Sequence, residues 1–254
     1  MTTAPTIALL GGGFSDDPDT LLDDFVLDAA GRTRPKVCFL PTASGDAPGY
    51  IEGFHTAFGA RDCEPSHLEL FRRSVSDLRA FVLAQDIVYV GGGNTANMLA
   101  VWRLHGLDTI LREAYEAGVL LCGISAGACC WFEHAFSDSF GPPAPLADGL
   151  GLLPGSLCPH YDSEPQRRPG YLAAVNDRVL PGGWAIDDGA AGLFTDGRLV
   201  DVAARTPGAT LRRVHVDEDG AVAEVAQTAR LLRVQERGGA ADSRRPRPPS
   251  GRGQ

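Results

Sequence analysis

The sequence predicts an α/β domain built on a doubly wound, mainly parallel β-sheet of the flavodoxin-like type with C-terminal β-hairpins, and two patterns support the sheet. Short apolar runs recur through the first half without alternating polar positions, which is typical of strands buried on both faces. Amphipathic helical stretches separate these runs, and right-handed crossovers would place such helices on both faces of one sheet. The length of 254 residues suits one such domain, predicted here for residues 1–236.

The individual elements follow from the same patterns. The predicted strands are residues 6–10, 36–40, 67–71, 86–90 and 119–122. The predicted helices are residues 21–30, 50–58, 76–83, 96–104 and 107–117. Ser76 is the expected N-terminal cap of the third helix, because its hydroxyl can accept a hydrogen bond from a free backbone N–H in the first turn.

The character of the sequence changes after residue 140, where Gly, Pro and Asp become frequent. Asp-Gly pairs in Thr195–Arg198 and Glu218–Ala221 readily adopt positive φ and are typical of hairpin turns. Residues 184–202 and 211–225 are therefore predicted hairpins that extend or edge the same domain. Residues 237–254 contain mainly Gly, Pro and Arg, so they are predicted to form a disordered tail.

Composition argues against several classes of function. A net charge of −9 argues against nucleic-acid binding, which normally requires a basic face. Neither a run of about 18 apolar residues nor a signal-peptide pattern is present, so we expect a cytoplasmic protein without a membrane segment. The six cysteines lack paired ligand spacing and are expected to be buried thiols. Because no His and carboxylate residues cluster with ligand spacing, no metal or other cofactor is expected.

The strongest local motif is Gly123-Ile-Ser-Ala-Gly127, which lies between the strand predicted at 119–122 and a helix predicted to begin near Ala126. Glycines on both sides of the serine permit a sharp strand-to-helix turn with a strained middle residue. Such a turn exposes the Ser125 hydroxyl at the carboxyl edge of the sheet, where the N–H of Ala126 could stabilise an oxyanion. The motif therefore predicts a serine nucleophile at position 125.

A second glycine-rich loop, Gly91-Gly-Gly-Asn-Thr95, ends the strand predicted at 86–90. Its glycines would let the backbone approach a ligand closely, and one of its N–H groups could supply a second oxyanion donor. Asn94 in this loop is an expected substrate-binding residue. A phosphate-binding loop does not fit, because the Lys of a Walker motif is absent, whereas a purely structural turn stays open. Gly11-Gly-Gly13 is expected to line the same edge.

A serine nucleophile needs a base, and six histidines are available. His160 lies in an irregular, Pro-containing segment, and loops at the carboxyl edge of a sheet are where catalytic groups usually lie. His134 follows the serine closely along the chain and is expected to point away from the turn, so His160 is the preferred base. The acid that would orient the imidazole stays open among Asp187, Asp188 and Asp138.

Four motifs, taken in order, make the chain similar to a known family. They are Val90-Gly-Gly-Gly-Asn-Thr95, Gly123-Ile-Ser-Ala-Gly-Ala128, Cys158-Pro-His160 and Ile186-Asp-Asp-Gly189. This ordered set resembles peptidase family S51, which contains peptidase E (the aspartyl dipeptidase) and the cyanophycinases. The resemblance extends from about residue 6 to about residue 234. It implies a class I glutamine amidotransferase-like α/β fold with serine in place of the amidotransferase cysteine.

The resemblance also implies roles for the residues of the core site. Ser125 matches the family nucleophile and His160 the family base. The oxyanion donors of the family correspond to the backbone of Gly92 and Ala126. Asp188 occupies a position at which family members usually carry Glu, and Glu is about one methylene longer.

The remaining implied roles concern a further acid and the substrate. Asp138 lies in the region of another acidic residue that is important in peptidase E. Peptidase E holds an N-terminal aspartate through an arginine shortly after the catalytic histidine, and Arg167 and Arg168 lie in that neighbourhood. A guanidinium that pairs bidentately with a carboxylate would be a good selector, although two solvated loop arginines are an equally open interpretation.

These expectations together describe a serine exopeptidase that hydrolyses dipeptides or short peptides through a Ser-His-Asp triad, with an N-terminal Asp preference. One alternative is a cyanophycinase-like or esterase activity on a larger substrate, and another is a non-catalytic binding protein of the same fold. The expected partner is a small peptide, with no nucleic acid and no membrane. The hairpin edges after residue 184 could also pair in a homodimer.

Overall fold

The computed structural model describes residues 4–12 and 19–233, which contain two β-sheets and the helices that pack on them. The strands are β1 (Thr6–Leu10), β2 (Lys36–Leu40), β3 (Glu64–His67), β4 (Ile87–Val90), β5 (Leu120–Ile124), β6 (Phe132–Ser137), β7 (Ala144–Ala147), β8 (Leu153–Cys158), β9 (Gly183–Ile186), β10 (Ala190–Thr195), β11 (Arg198–Ala204), β12 (Leu211–Val216), β13 (Val222–Ala226) and β14 (Arg230–Leu231). The α-helices are α1 (Leu21–Ala29), α2 (Pro48–Gly59), α3 (Leu78–Leu83), α4 (Thr95–His105), α5 (Leu107–Glu116), α6 (Ala126–Cys129) and α7 (Arg167–Asn176).

The larger sheet has eight strands in the order β14-β11-β10-β1-β5-β4-β2-β3. Its strands β1 to β5 run parallel, and the antiparallel hairpin β10–β11 lies beside β1. Apolar side chains of α1 and α2 pack on one face, and those of α3, α4, α5 and the second sheet pack on the other. Because both faces are covered, β4 and β5 are buried along their whole length. The predicted α/β class with a doubly wound, mainly parallel sheet is confirmed.

The second sheet has six strands in the order β13-β12-β9-β8-β6-β7, and the sequence patterns did not predict it as a separate sheet. Its central strands β6, β8 and β9 run parallel, and β7, β12 and β13 pair antiparallel. Proline lies within β7 and β8, and glycine within β8 and β9, so their local strand propensity is low. Burial, rather than propensity, therefore makes β8 and β9 strands, whereas the exposed β7 is a strand because it pairs with β6.

The third strand was predicted at residues 67–71, and this prediction is wrong, because β3 ends at His67. The carboxylate of Asp46 accepts hydrogen bonds from the backbone N–H groups of Leu70 and Phe71, at 2.7 and 2.8 Å. A buried side chain thus replaces the strand partner that these N–H groups would need. The apolar pattern marked a buried segment correctly but not its backbone conformation.

Two predictions about helices also need correction. The N-terminal cap of α3 is Asp77 rather than Ser76, since Asp77 Oδ1 accepts a hydrogen bond from the Ala80 N–H at 2.9 Å. The helix predicted to begin near Ala126 is confirmed as α6, which is a single turn before the chain enters β6. Arg167 and Arg168, which are expected on a loop, instead begin helix α7, since the proline at position 169 lies in its first turn, where proline is tolerated.

Both predicted Asp-Gly turns are present. Asp196 and Gly197 have φ of 49° and 72° and connect β10 to β11, and the turn before Ala221 connects β12 to β13. Residues 184–202 are nevertheless not one hairpin, because β9 pairs in the second sheet. The predicted tail, residues 237–254, lies outside the described residues. No helix within residues 4–12 and 19–233 is long and apolar enough to cross a membrane.

Candidate active site

The turn that carries Ser125 connects β5 to α6 at the carboxyl edge of the larger sheet. Ser125 has φ of 53° and ψ of −113°, a region that costs a non-glycine residue about 1–3 kcal/mol. A Cβ atom on Gly123 would lie 3.0 Å from the Ala128 nitrogen, and one on Gly127 would lie 2.8 Å from the Val90 carbonyl carbon. Both flanking glycines are thus required by close backbone contacts, and these contacts hold the serine in its strained conformation.

Three side chains form a hydrogen-bonded series at this turn. His160 Nε2 lies 2.8 Å from Ser125 Oγ, and His160 Nδ1 lies 2.7 Å from Asp188 Oδ1. His160 follows β8 and also has a positive φ, of 53°, while Asp188 follows β9. β5 belongs to the larger sheet, whereas β8 and β9 belong to the second sheet. The ends of these three strands lie close together, so Ser125 and Asp188, which are 35 and 28 positions from His160 along the chain, meet at its imidazole.

The protonation of this series follows from the Asp188 carboxyl. Partial burial by itself raises its pKa, but hydrogen bonds from His160 and Ser163 outweigh burial, so the pKa of Asp188 lies below its usual value. An ionised carboxylate only accepts hydrogen bonds, and His160 Nδ1 therefore carries the proton. The lone pair of Nε2 then accepts the hydroxyl hydrogen of Ser125, which is the arrangement that a general base requires.

The loop after β1 packs directly against the two adjacent aspartates. A Cβ atom on Gly11 would lie 2.7 Å from the Asp187 carbonyl carbon, and one on Gly12 would lie 2.7 Å from Asp188 Cγ. The carbonyl oxygen of Gly12 also accepts a hydrogen bond from the Gly189 N–H. The absence of side chains at positions 11 and 12 therefore lets this loop hold the Asp188 carboxylate in place.

The predicted oxyanion donors lie on two sides of the serine. Ala126 is the first residue of α6, and N–H groups in the first turn of a helix have no acceptor within the helix. The Gly92 backbone faces the serine, since a Cβ atom built on Gly92 would lie 3.5 Å from Ser125 Cβ. The Gly92 N–H donates a hydrogen bond to Tyr50 Oη at 3.0 Å. Sequence reasoning missed Tyr50, because nothing in its local pattern distinguishes it from an ordinary helix residue.

The other candidate acids do not contact His160. Asp187 is buried and accepts hydrogen bonds from the Thr210 N–H at 3.0 Å and from Arg212 at 2.5 Å. The Asp138 side chain is 58% exposed, and its carboxylate lies 3.4 Å from Arg167 Nη2. Of the three acids that the sequence left open, the structure brings only Asp188 to the imidazole.

Two further predicted candidates lie apart from the series. The Asn94 Oδ1 atom accepts the Asn97 N–H and caps α4, and its Nδ2 atom donates to the Ser139 carbonyl oxygen, both at 2.9 Å. Both the oxygen and the nitrogen of the Asn94 side-chain amide are thus hydrogen-bonded, and they connect α4 to the segment after β6. His134, the rival base, lies on β6 in the second sheet.

The two adjacent arginines at the start of α7 have different environments. Arg167 is 2% exposed, and it donates to Glu164 and to the Phe136 carbonyl oxygen, both at 2.7 Å. Arg168 is exposed and forms an ion pair with Glu224 on β13. Only Arg168 is therefore placed to meet a ligand from solvent, and it already has a carboxylate partner.

Arg168 lines an open cavity of about 470 Å³, and Tyr161 and Asp162, the two residues that follow His160, also line it. Its wall includes Tyr161, Arg212 and Asp187. The Tyr161 hydroxyl donates to Glu224 at 2.6 Å, so the Arg168 ion pair is anchored at the side of the cavity. Partial burial raises the pKa of Glu224, but hydrogen bonds from Arg168 and Tyr161 outweigh it, and the resulting pKa lies below the usual value.

The cysteines do not contribute reactive thiolates to this region. All six are free and buried, and burial raises the pKa of Cys129, within α6, to about 12. Within the described parts of the chain, no three His, Cys, Asp or Glu side chains are grouped so that they could hold a metal ion.

Comparison with known proteins relates this chain to peptidases. A model of peptidase family S51 matches residues 7–202. An uncharacterized peptidase of Bacillus subtilis, YgaJ, is 51% identical over 213 residues, which cover 84% of this chain and 92% of YgaJ. Peptidase E of Citrobacter koseri is 36% identical over 90 residues, a local match that covers 35% of this chain and 39% of that enzyme.

Two solved structures share the fold. A putative peptidase E protein from Listeria monocytogenes has a TM-score of 0.62 at 21% identity, with 80% of this chain and 100% of that chain covered. A peptidase from an acI-B1 Actinobacterium has a TM-score of 0.66 at 17% identity, with 90% and 96% covered. At these identities the likeness establishes the architecture, and it agrees with the predicted flavodoxin-like, amidotransferase-like fold.

Proposed function

The chain belongs to peptidase family S51 and is by that membership a serine-type peptidase, and we propose that it acts as an exopeptidase on dipeptides or short peptides. The observation that carries the proposal is the series of hydrogen bonds from Ser125 through His160 to Asp188. A serine hydroxyl is activated when a base lies within hydrogen-bond reach of it and an acid within hydrogen-bond reach orients that base.

The first half of the reaction acylates the serine. His160 Nε2 takes the hydroxyl proton while Ser125 Oγ bonds to the scissile carbonyl carbon, and the π electrons of the carbonyl move to its oxygen. Asp188 holds Nδ1–H and stabilises the imidazolium that forms. Donors on the Ala126 and Gly92 sides stabilise the oxyanion, which is commonly the largest electrostatic contribution to such a reaction.

The second half restores the enzyme. The oxyanion collapses, the C–N bond breaks, and the leaving amine takes the proton from His160 Nε2. A water molecule then attacks the acyl ester and gives its proton to the same nitrogen. The second tetrahedral intermediate releases the carboxylic acid, and the proton returns from His160 to Ser125 Oγ.

The cavity beside the imidazole supports a small substrate. Its volume of about 470 Å³ falls within the range of about 300–1,000 Å³ that is usual for small-molecule sites. Its wall contains Tyr161 and Asp162, the two residues that follow His160, and we propose that a substrate side chain binds there while the scissile carbonyl lies at Ser125. A dipeptide is the size of ligand that such a cavity favours.

An N-terminal aspartate is the side chain that we propose for this cavity. The Arg168 guanidinium lines it and can pair with a carboxylate. Because Glu224 is ionised and already paired with Arg168, an aspartate substrate must compete with this internal carboxylate. We therefore expect a preference for Asp over neutral residues that is graded rather than absolute.

The test is a dipeptide panel with Asp-Leu, Ala-Leu and Asp-p-nitroanilide, run on the parent protein, Ser125→Ala and Arg168→Ala. Ser125→Ala should lower kcat/KM by about 10⁴-fold or more, because the nucleophile is removed. Arg168→Ala should reduce only the ratio of Asp to Ala hydrolysis. Ser74→Ala, an exposed serine between β3 and α3, is the matched control and should retain full activity.

Three results would contradict the proposal. Unchanged Asp-Leu hydrolysis by Ser125→Ala would exclude this serine as the nucleophile. Failure of a fluorophosphonate probe to label Ser125 in folded protein would favour a non-catalytic binding protein. Hydrolysis of a branched aspartyl-arginine polymer in preference to every dipeptide would instead indicate the larger-substrate alternative.

A further inference from the structure

Tyr50 lies over the glycine loop of the site in a position that its neighbours fix. It is in the first turn of α2, and its ring packs edge-on against Phe39, with ring centroids 5.1 Å apart and planes at 84°. A Cβ atom on Gly91 would lie 2.8 Å from Tyr50 Cε1 and 3.0 Å from Phe39 Cζ. The missing side chain at Gly91 therefore makes room for the tyrosine ring at the end of β4.

The Tyr50 hydroxyl and the Ser125 side chain lie near the same point beside Gly92. The Cβ position built on Gly92 is 3.5 Å from Ser125 Cβ and 3.9 Å from Tyr50 Oη. The sum of those two distances sets an upper limit of about 7.4 Å on the separation of the phenol oxygen from Ser125 Cβ. A donor that lies about 2.7 Å from the oxyanion of a serine adduct is within this limit of Ser125 Cβ.

The direction of the Gly92 N–H determines what this hydroxyl can do. That N–H donates to Tyr50 Oη at 3.0 Å, so it points at the phenol oxygen and not at open space beside the serine. A hydroxyl that accepts a hydrogen bond becomes a better donor, because successive hydrogen bonds polarise one another. Tyrosine hydroxyls are among the side-chain groups that can form an oxyanion hole.

We propose that Tyr50 is a catalytic residue whose hydroxyl donates a hydrogen bond to the oxyanion, and that the Gly92 N–H acts through it. This inference rests on the proposed serine peptidase mechanism. When the carbonyl π electrons move to oxygen, the O–H of Tyr50 turns to that oxygen and the Gly92 N–H stays on Oη. No bond to Tyr50 forms or breaks, and its proton remains on the phenol oxygen.

The test is Tyr50→Phe, which keeps the ring and its contact with Phe39 and removes only the hydroxyl. We expect kcat on Asp-Leu to fall about 10²-fold, in the range found when an oxyanion donor is removed, while KM changes less than about threefold. The rate of fluorophosphonate labelling of Ser125 should fall in parallel. Thermal unfolding should stay within a few degrees of the parent. Tyr115→Phe on α5 removes a hydroxyl from another tyrosine and should leave kcat unchanged.

The outcomes separate this inference from the function on which it rests. If the parent protein hydrolyses no peptide and takes up no fluorophosphonate, the peptidase mechanism itself fails. If the parent is active and Tyr50→Phe retains the full kcat, only the role of Tyr50 is refuted. A higher kcat in Tyr50→Phe would also refute it, because the hydroxyl would then be blocking a direct Gly92 donor.

Discussion

Substitution of Gly12 by alanine should reduce activity without reducing stability, since its Cβ would press on the Asp188 carboxylate. That Cβ atom would lie 2.7 Å from Asp188 Cγ and closer still to Oδ1, whereas an ordinary contact begins at 3.4 Å. Gly12 is not among the glycines with positive φ, so alanine can adopt the backbone conformation. The Asp188 side chain is 38% exposed, and it can move toward solvent at little cost.

The size of the effect follows from these distances. Asp188 must retreat by roughly 1 Å, and a misplacement of that size near a reacting group can cost about 10²-fold in rate. We therefore expect kcat/KM to fall about 10²-fold, equivalent to about 2.7 kcal/mol of transition-state stabilisation. Gly12 is buried, but the atoms that must move are the end of a partly exposed side chain, so the free energy of unfolding should change by about 1 kcal/mol or less.

The assay is Asp-Leu hydrolysis alongside denaturant unfolding. Gly53→Ala is the matched control, since a Cβ atom there meets nothing within 4 Å and activity should not change. In an Asp188→Asn background, Gly12→Ala should cause little further loss, because both changes act on the same carboxylate. Full activity of a folded Gly12→Ala variant, or an undiminished further loss in that background, would refute the reasoning.

Four further outcomes are expected. Glu224→Gln should raise the ratio of Asp-Leu to Ala-Leu hydrolysis, because Arg168 loses its internal carboxylate, and an unchanged ratio would exclude this competition. Arg167→Met should lower the free energy of unfolding by about 2 kcal/mol, since hydrogen bonds of a buried guanidinium are lost. Arg168→Met should change the free energy of unfolding by less than about 1 kcal/mol, because its ion pair is exposed. The six buried cysteines should resist iodoacetamide at pH 8 until the protein is unfolded, and labelling of the folded protein would contradict their raised pKa values. The ionised carboxylate of Asp188 should stabilise the folded protein relative to Asp188→Asn at pH values above the unfolded carboxyl pKa near 3.8. This stabilisation should be lost as the pH falls through the lower pKa of the folded state. A difference in the free energy of unfolding between the two proteins that grows on acidification would contradict this.

Much of the larger sheet could be predicted because its signals are local. Unbroken apolar runs predicted β1, β2, β4 and β5 to within about two residues, and Asp-Gly pairs predicted both hairpin turns. The strained turn at Ser125 was also predictable, since glycines at 123 and 127 are needed within five consecutive residues. By contrast, β7, β8 and β9 of the second sheet contain proline or glycine, and only their pairing and packing in the folded chain make them strands.

The sequence by itself determined the fold class, the serine turn and a short set of candidate bases and acids. Only the tertiary structure decided among adjacent residues that a local pattern treats alike. Asp187 is buried on Arg212 while Asp188 reaches His160, and Arg167 is buried while Arg168 is exposed. The physical reason is that these partners come from segments distant along the chain. Their meeting depends on how β8, β9, β12 and α7 pack, and no local spacing of residues encodes that.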